Sequence, residues 1–435
     1  MSRLCRLVSA APIALAVAVA PAATAVVPPV VDNGLLPPPA PPSPTHQTEQ
    51  REPCFSPQTH TDAGDAHKMD DVWRLARGAG QTVAVIDTGV TRHRLLPHLV
   101  GGGDYVSRGD GTLDCDGHGT IVAGIIGGAA NTTGFSGVAP EATILSIRQS
   151  SNKFRAAGGA LGVGDVETMA EAVRTAADLG ATVINISTVA CVAVADRLDD
   201  RALGAALAYA VDVKNVVVVT AAGNVGGAGH CPEQNPASGP AGRPNWEDVR
   251  SVASPAWYDD LVLCVGSVGS DGRPSEFSLG GPWVDVAAPG EGIVSLHPDG
   301  EGLIDTLADG SPISGTSYAA PTIAGIAALV RSRFPQLSAR EVMRRITSTA
   351  HRPPGDWDPF VGNGVVDALA ALSAGPGVPA VPTRTVPTVA ARPPVFADPQ
   401  PRRVAFGGAA VCVAAAVLSA LILSSRRLRR RIPDD

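Results

Sequence analysis

Five short, unbroken apolar runs punctuate the middle of the chain, at 82–86, 142–147, 182–186, 216–220 and 261–265. Unbroken runs predict strands buried on both faces, as in a parallel sheet; half-exposed strands would alternate. Helical stretches lie between several of them, notably 165–179 and 196–213. Further helices are expected at 62–79, with Trp73 and Leu75 as core candidates, and at 338–350 and 364–372. Strand, helix, strand in series predicts an open α/β fold with a mostly parallel central sheet flanked by helices. Such sheets carry their sites at the carboxyl ends of their strands. The small, apolar residues at 318–330 suit a buried helix, with Ser317 at its start. Pro321 is expected in the first turn of that helix, where a missing N–H costs little.

Outside this region the pattern changes. Residues 1–25 read as a secretory signal, with Arg3 and Arg6 before an apolar stretch and Ala23-Thr24-Ala25 as a cleavage site. Residues 26–61 are Pro-rich, show no usable period and predict an extended segment, not a domain. Residues 373–403 form a Pro-rich linker. Residues 404–423 are uncharged and apolar over the length that crosses a bilayer, so one C-terminal transmembrane helix is expected. Five arginines between 426 and 431 make 424–435 a basic cytoplasmic tail, with the larger domain outside the membrane. The 435 residues allow two to three domains, or one large α/β domain with appendages. A net charge of −7 suggests no nucleic-acid partner.

Four polar residues stand out where the apolar runs end. Asp87 closes the first strand in Val-Ile-Asp-Thr-Gly. His118 lies between glycines in Asp-Gly-His-Gly-Thr, and Asn224 follows the fourth strand in Ala-Ala-Gly-Asn. Ser317 lies in Ser-Gly-Thr-Ser-Tyr-Ala-Ala-Pro. Asp87, Asn224 and Ser317 alone each read as a turn residue or cap, whereas a histidine at a glycine-flanked helix start is unusual. Together they supply a nucleophile, an imidazole base, a carboxylate to orient it and an amide donor for an oxyanion. Asp114 and Asp116 flank the His118 motif. Calcium ligation or pKa tuning is open to them, but solvated loop acids are the expectation. No cofactor and no metal site is implied.

These motifs resemble those of the subtilisin family of serine proteases, in the family's order Asp, His, Ser. The resemblance covers residues 62–372 and implies a subtilisin-like fold and an endopeptidase acting through an acyl-enzyme. It implies Asp87 as the orienting carboxylate, His118 as base, Ser317 as nucleophile and Asn224 as oxyanion donor. Ser187, Thr188 and Val189 stand where the family's substrate-binding strand reads Ser-Leu-Gly, and Ala221, Ala222 and Gly223 precede the oxyanion donor. All six are candidates for substrate binding. Val189 in place of glycine narrows the pocket, which predicts restricted specificity for small residues before the scissile bond. Where many subtilisins have a second histidine, this chain has Ile121.

The layout of signal, short extension with one cysteine, protease domain, Pro-rich linker and single span resembles the mycosins. These are subtilisin-like proteases associated with type VII secretion in actinobacteria. The resemblance implies a type VII secretion membrane complex as partner, besides a protein or peptide substrate. The alternatives are a membrane-anchored subtilisin unrelated to that system, or a structural stabiliser of the secretion complex. Seven cysteines are present; Cys5 and Cys412 fall in the signal and the span, and Cys264 lies inside an apolar strand. The other four allow three pairings. Cys191 and Cys231 follow strand ends on one side of the sheet, which favours pairing them and pairing Cys54 with Cys115. The mycosin resemblance implies the same pairs. The extension is then a permanent arm beside His118, not a released inhibitor.

Overall fold

The computed structural model describes residues 26–373, apart from 28, 58–60, 62–68, 133, 160, 228–229, 238–243 and 308. The signal 1–25, the linker beyond Ser373, the span 404–423 and the tail 424–435 lie outside the described residues. Among the described residues no helix is long and apolar enough to cross a membrane.

Along the chain come β1 (Thr48–Gln50), α1 (Asp70–Trp73), β2 (Thr82–Asp87), β3 (Leu99–Asp104), α2 (His118–Gly127) and β4 (Thr143–Arg148). Then follow β5 (Ser151–Ala156), β6 (Leu161–Val163), α3 (Val166–Asp178), β7 (Val183–Ile186), β8 (Ala190–Ala193) and α4 (Arg201–Ala208). Next are β9 (Val217–Ala221), β10 (Ser251–Ser254), β11 (Leu263–Val268), β12 (Val286–Pro289), β13 (Ser295–Leu296) and β14 (Leu303–Ile304). Helices α5 (Thr316–Arg333), α6 (Ala339–Thr349) and α7 (Ala368–Ser373) complete the described chain.

Seven strands form the central sheet in the order β12-β11-β9-β7-β2-β4-β3, all parallel. In β2, Val83 to Asp87 are all buried, as befits a strand covered on both faces. Helices α2 and α5 pack together on the sheet; α3 and α4 pack together as a second layer, and both layers reach β2. The chain winds from β2 to β3 and β4 on one side, then to β7, β9, β11 and β12 on the other. That reversal opens a crevice at the carboxyl end of β2, where ligands of open α/β sheets bind.

Helix starts follow local chemistry. Asp165 and Thr168 form a capping box at α3, and Ser338 and Glu341 form one at α6. Helix α5 is buried almost all round.

Several expected bounds change. Of 62–79, only Asp70–Trp73 is helical among the described residues, and Leu75 is half-buried in the turn that follows. Residues 196–200 precede α4 without being helical, and Tyr209–Val213 forms a π-turn at its end. Pro321 is the sixth residue of α5, not in its first turn. Strand β3 went unread because three of its six residues are glycine. The extension holds more structure than its composition suggested. Asp32 caps a 3-10 turn at Asn33–Leu35, and β1 pairs antiparallel with β5. The β5–β6 hairpin and β1 make a small three-stranded sheet beside the crevice.

Candidate active site

Asp87 is the last residue of β2 and is completely buried. His118 opens α2 and donates from Nδ1 to Asp87 Oδ1 at 2.7 Å. The Thr88 N–H donates to the same oxygen at 2.8 Å, so the carboxylate is held from two sides. Burial pulls the His118 pKa down, but the Asp87 charge and hydrogen bond, with Asp114 and Asp116 behind them, outweigh it and raise the value. Ser317 is the second residue of α5. Its carbonyl would ordinarily accept from the N–H four residues on, but that residue is Pro321, which has none. The Ser187 hydroxyl takes that carbonyl at 2.8 Å instead.

Asn224 lies three residues past β9. Its Oδ1 accepts from the N–H and the hydroxyl of Thr316, each at 3.0 Å. That turns Nδ2 toward Ser317. A Cβ placed on Gly315 would lie 3.2 Å from Ser317 Oγ and 3.5 Å from Asn224 Nδ2. Glycine at 315 therefore keeps open the space between hydroxyl and amide, where an oxyanion would form. The structure brings Asp87 and His118 together, and His118, Ser317 and Asn224 line one cleft of about 930 Å³.

Asp114 corrects the expectation of a solvated loop acid. Its side chain is buried and accepts five hydrogen bonds. Thr88 Oγ1, the Asp116 N–H and the Gly117 N–H reach Oδ1; the Thr120 N–H and hydroxyl reach Oδ2. Thr88 Oγ1 in turn accepts from the Gly119 N–H at 3.0 Å. The carboxylate thus ties the Asp87 turn to the start of the His118 helix. Burial pushes its pKa up to about 6 despite these donors. Asp116 is half-buried at the cleft and accepts from Ser151 Oγ at 2.5 Å and the Asn152 N–H at 2.7 Å. Among the described residues no cluster of acidic, histidine or cysteine side chains could hold a metal ion.

Ser187, Thr188 and Val189 line the cleft, just past the end of β7. Ala221, Ala222 and Gly223 do not. The two alanines are buried, and the Gly223 N–H and carbonyl are taken by Thr316 and Leu279. They support Asn224 from beneath. Sequence reading missed the opposite walls: Gly162, Val163 and Gly164 at the end of β6, Leu307 before the Ser317 loop, and Phe55 from the extension. Only the glycines at 162 and 164 hinted at an open edge; no periodic signal marked Phe55.

Cys54 is bonded to Cys115 and Cys191 to Cys231. Cys264 is a buried free thiol. Cys191 lies within β8 instead of a loop.

Residues 78–364 match the subtilase, or peptidase S8, family. The chain is 56% identical to Mycosin-4 of Mycobacterium tuberculosis over 94% of its own length and 93% of that protein's. Among solved structures, MycP3 protease from the type VII (ESX-3) secretion system is 46% identical, with a TM-score of 0.74 over 80% of this chain and 99% of that one. A chain of the periplasmic assembly from the ESX-5 inner membrane complex is 40% identical, with a TM-score of 0.74 over 85% of this chain and all of that one (100%).

Proposed function

The chain belongs to the subtilase family, as a mycosin, and is therefore a serine endopeptidase; on that premise we propose how it cuts and where it works. Ser317 attacks the peptide carbonyl, His118 takes its proton and returns it to the leaving amine, and Asp87 holds the imidazole tautomer. Asn224 Nδ2 and a backbone N–H at the start of α5 stabilise the oxyanion, and water then releases the acyl group. The observation that carries this reading is the 2.7 Å bond from His118 Nδ1 to buried Asp87, in one cleft with Ser317 and Asn224. Ser317→Ala should abolish both turnover and labelling by a fluorophosphonate while the domain stays folded. Labelling that survives the substitution sinks the assignment.

An extended substrate lies along residues 187–189, across the cleft from the end of β6. Val189 and Thr188 support a preference for small residues immediately before the scissile bond. A cleavage profile dominated by Phe, Tyr or Leu at that position would overturn it.

The domain boundaries follow the sequence: signal 1–25, arm 26–61, peptidase 62–372, linker 373–403, transmembrane helix 404–423 and cytoplasmic tail 424–435. The protein is then a single-pass membrane protein with its catalytic domain outside the cytoplasm. The relatives from ESX assemblies support a type VII secretion complex as its partner. Because one relative belongs to a periplasmic assembly, a stabilising role beside catalysis is a second reading. A Ser317→Ala strain separates the two: secretion that persists favours the stabiliser, and secretion that stops favours cleavage.

A further inference from the structure

The extension does more than lie beside the cleft; it contributes Phe55 to its wall. Several contacts hold Phe55 there. Cys54 is bonded to Cys115, three residues before His118. The Phe55 N–H donates to the Cys115 carbonyl at 2.8 Å. On the other flank, Lys153 of β5 pairs with Glu52 at 2.9 Å, and β1 joins β5. The ring lies against Gly117, the residue before His118. A Cβ on Gly117 would come within 2.6 Å of Phe55 Cδ1, and its φ of +82° also favours glycine. The ring is half-buried, so part of its apolar face stays open to the cleft. Leu307 adds apolar surface to the same cleft.

We propose that Phe55 is a specificity-determining residue, seating an apolar substrate side chain next to the scissile bond on the His118 side of the cleft. This rests on the reading that the cleft binds the substrate. Covering an open aromatic face with an apolar side chain removes both from water, and the gain grows with the area covered. Nothing at Phe55 touches the reacting atoms, so its effect falls on selection among substrates. The mature site is then built from two separate parts of the chain, and the disulfide keeps the arm's part in place even after a cut elsewhere in the arm.

The test uses the full-length protein with Cys54 unchanged, carrying Phe55→Ala or Phe55→Leu. Both are first shown to take a fluorophosphonate label, which establishes a formed site. Peptides varied at both residues flanking the cleaved bond are then compared, Leu against Gly at each. In Phe55→Ala, the Leu-to-Gly ratio of kcat/KM at one of the two positions should fall by about 10-fold or more, chiefly through KM. Phe55→Leu should lie between that variant and wild type. An unchanged ratio at both positions overturns the inference, even where the melting temperature falls, because Phe55 would then only cover Gly117. If Phe55→Ala takes no label, the comparison runs on Phe55→Leu and Phe55→Trp, and identical profiles in those two overturn it equally. A wild-type protein that neither takes the label nor cleaves any peptide overturns the catalytic reading itself, and this inference with it.

Discussion

The Ser317 carbonyl shows how one residue type sets up another. Pro321 withholds an N–H, the carbonyl one turn back is freed, and Ser187 anchors it to the segment proposed to bind substrate. Asn224 is oriented just as indirectly, through Thr316. Replacing Asn224 by alanine should lower kcat by roughly 10²–10³-fold, the usual effect of losing one oxyanion-hole donor, with KM little changed. A wild-type rate would remove Asn224 from that role. His118 must be neutral to act as the proposed base, and its pKa is raised against the pull of burial by Asp87 and then by Asp114 and Asp116. The acid limb of kcat/KM should therefore fall above the ordinary imidazole value of about 6.5. The stability term has the opposite sense: it is full below the unfolded pKa and is lost as pH rises through the folded one. Asp114 acts through His118. Asp114→Asn removes a nearby negative charge and turns an amide group against donors, so kcat should fall by about 10-fold or more. The acid limb should also move to lower pH, a shift that lost packing alone would not cause; a pH–rate profile checks both.

At the scale of elements, the arm and the β5–β6 hairpin belong together. Strand β1 is three residues long and mostly exposed, so no apolar alternation announces it. It exists because β5 offers an edge and because the Cys54–Cys115 bond and the Lys153–Glu52 pair hold it in register. The bond closes a loop with a sequence separation of 61. Replacing both cysteines by serine should lower stability by about 2–4 kcal/mol in chemical denaturation. Non-reducing mass spectrometry of the mature protein should find the Cys54 segment still attached after a cut between Cys54 and the peptidase domain. Finding Cys54 free, or activity only after the arm is removed, would restore a propeptide.

At the scale of the whole molecule, the parallel sheet places every catalytic candidate within 26–373, and none lies beyond it. Deleting 404–435 should thus release a soluble protease with unchanged kcat/KM on a short peptide. This expects the proposed single-pass topology, with residues 404–423 as the span. Protease-protection mapping that puts the Arg-rich tail outside the cell would reject this topology.

Local signals carried far here. Unbroken apolar runs mark strands covered on both faces, so β2, β4, β7, β9 and β11 were legible within one to three residues. The placement of Asp87, His118 and Ser317 at a strand end and at helix starts was legible because such positions are written in neighbouring residues. Strand β3 was not: its glycines suit close approach, a property of what lies opposite and not of the strand itself. Asp114 looked like a surface acid because burial depends on Thr88 and Thr120 folding over it. Ala221, Ala222 and Gly223 looked like a pocket wall by their place beside Asn224, yet packing turned them inward. Phe55 carried no signal at all. Its position comes from a disulfide and a strand pairing that join parts of the chain far apart in sequence. Sequence alone determined five of the seven strands of the sheet and the residue types at their ends; tertiary contacts decided which side chains cap, wall and brace the cleft, since those roles belong to pairs of distant residues.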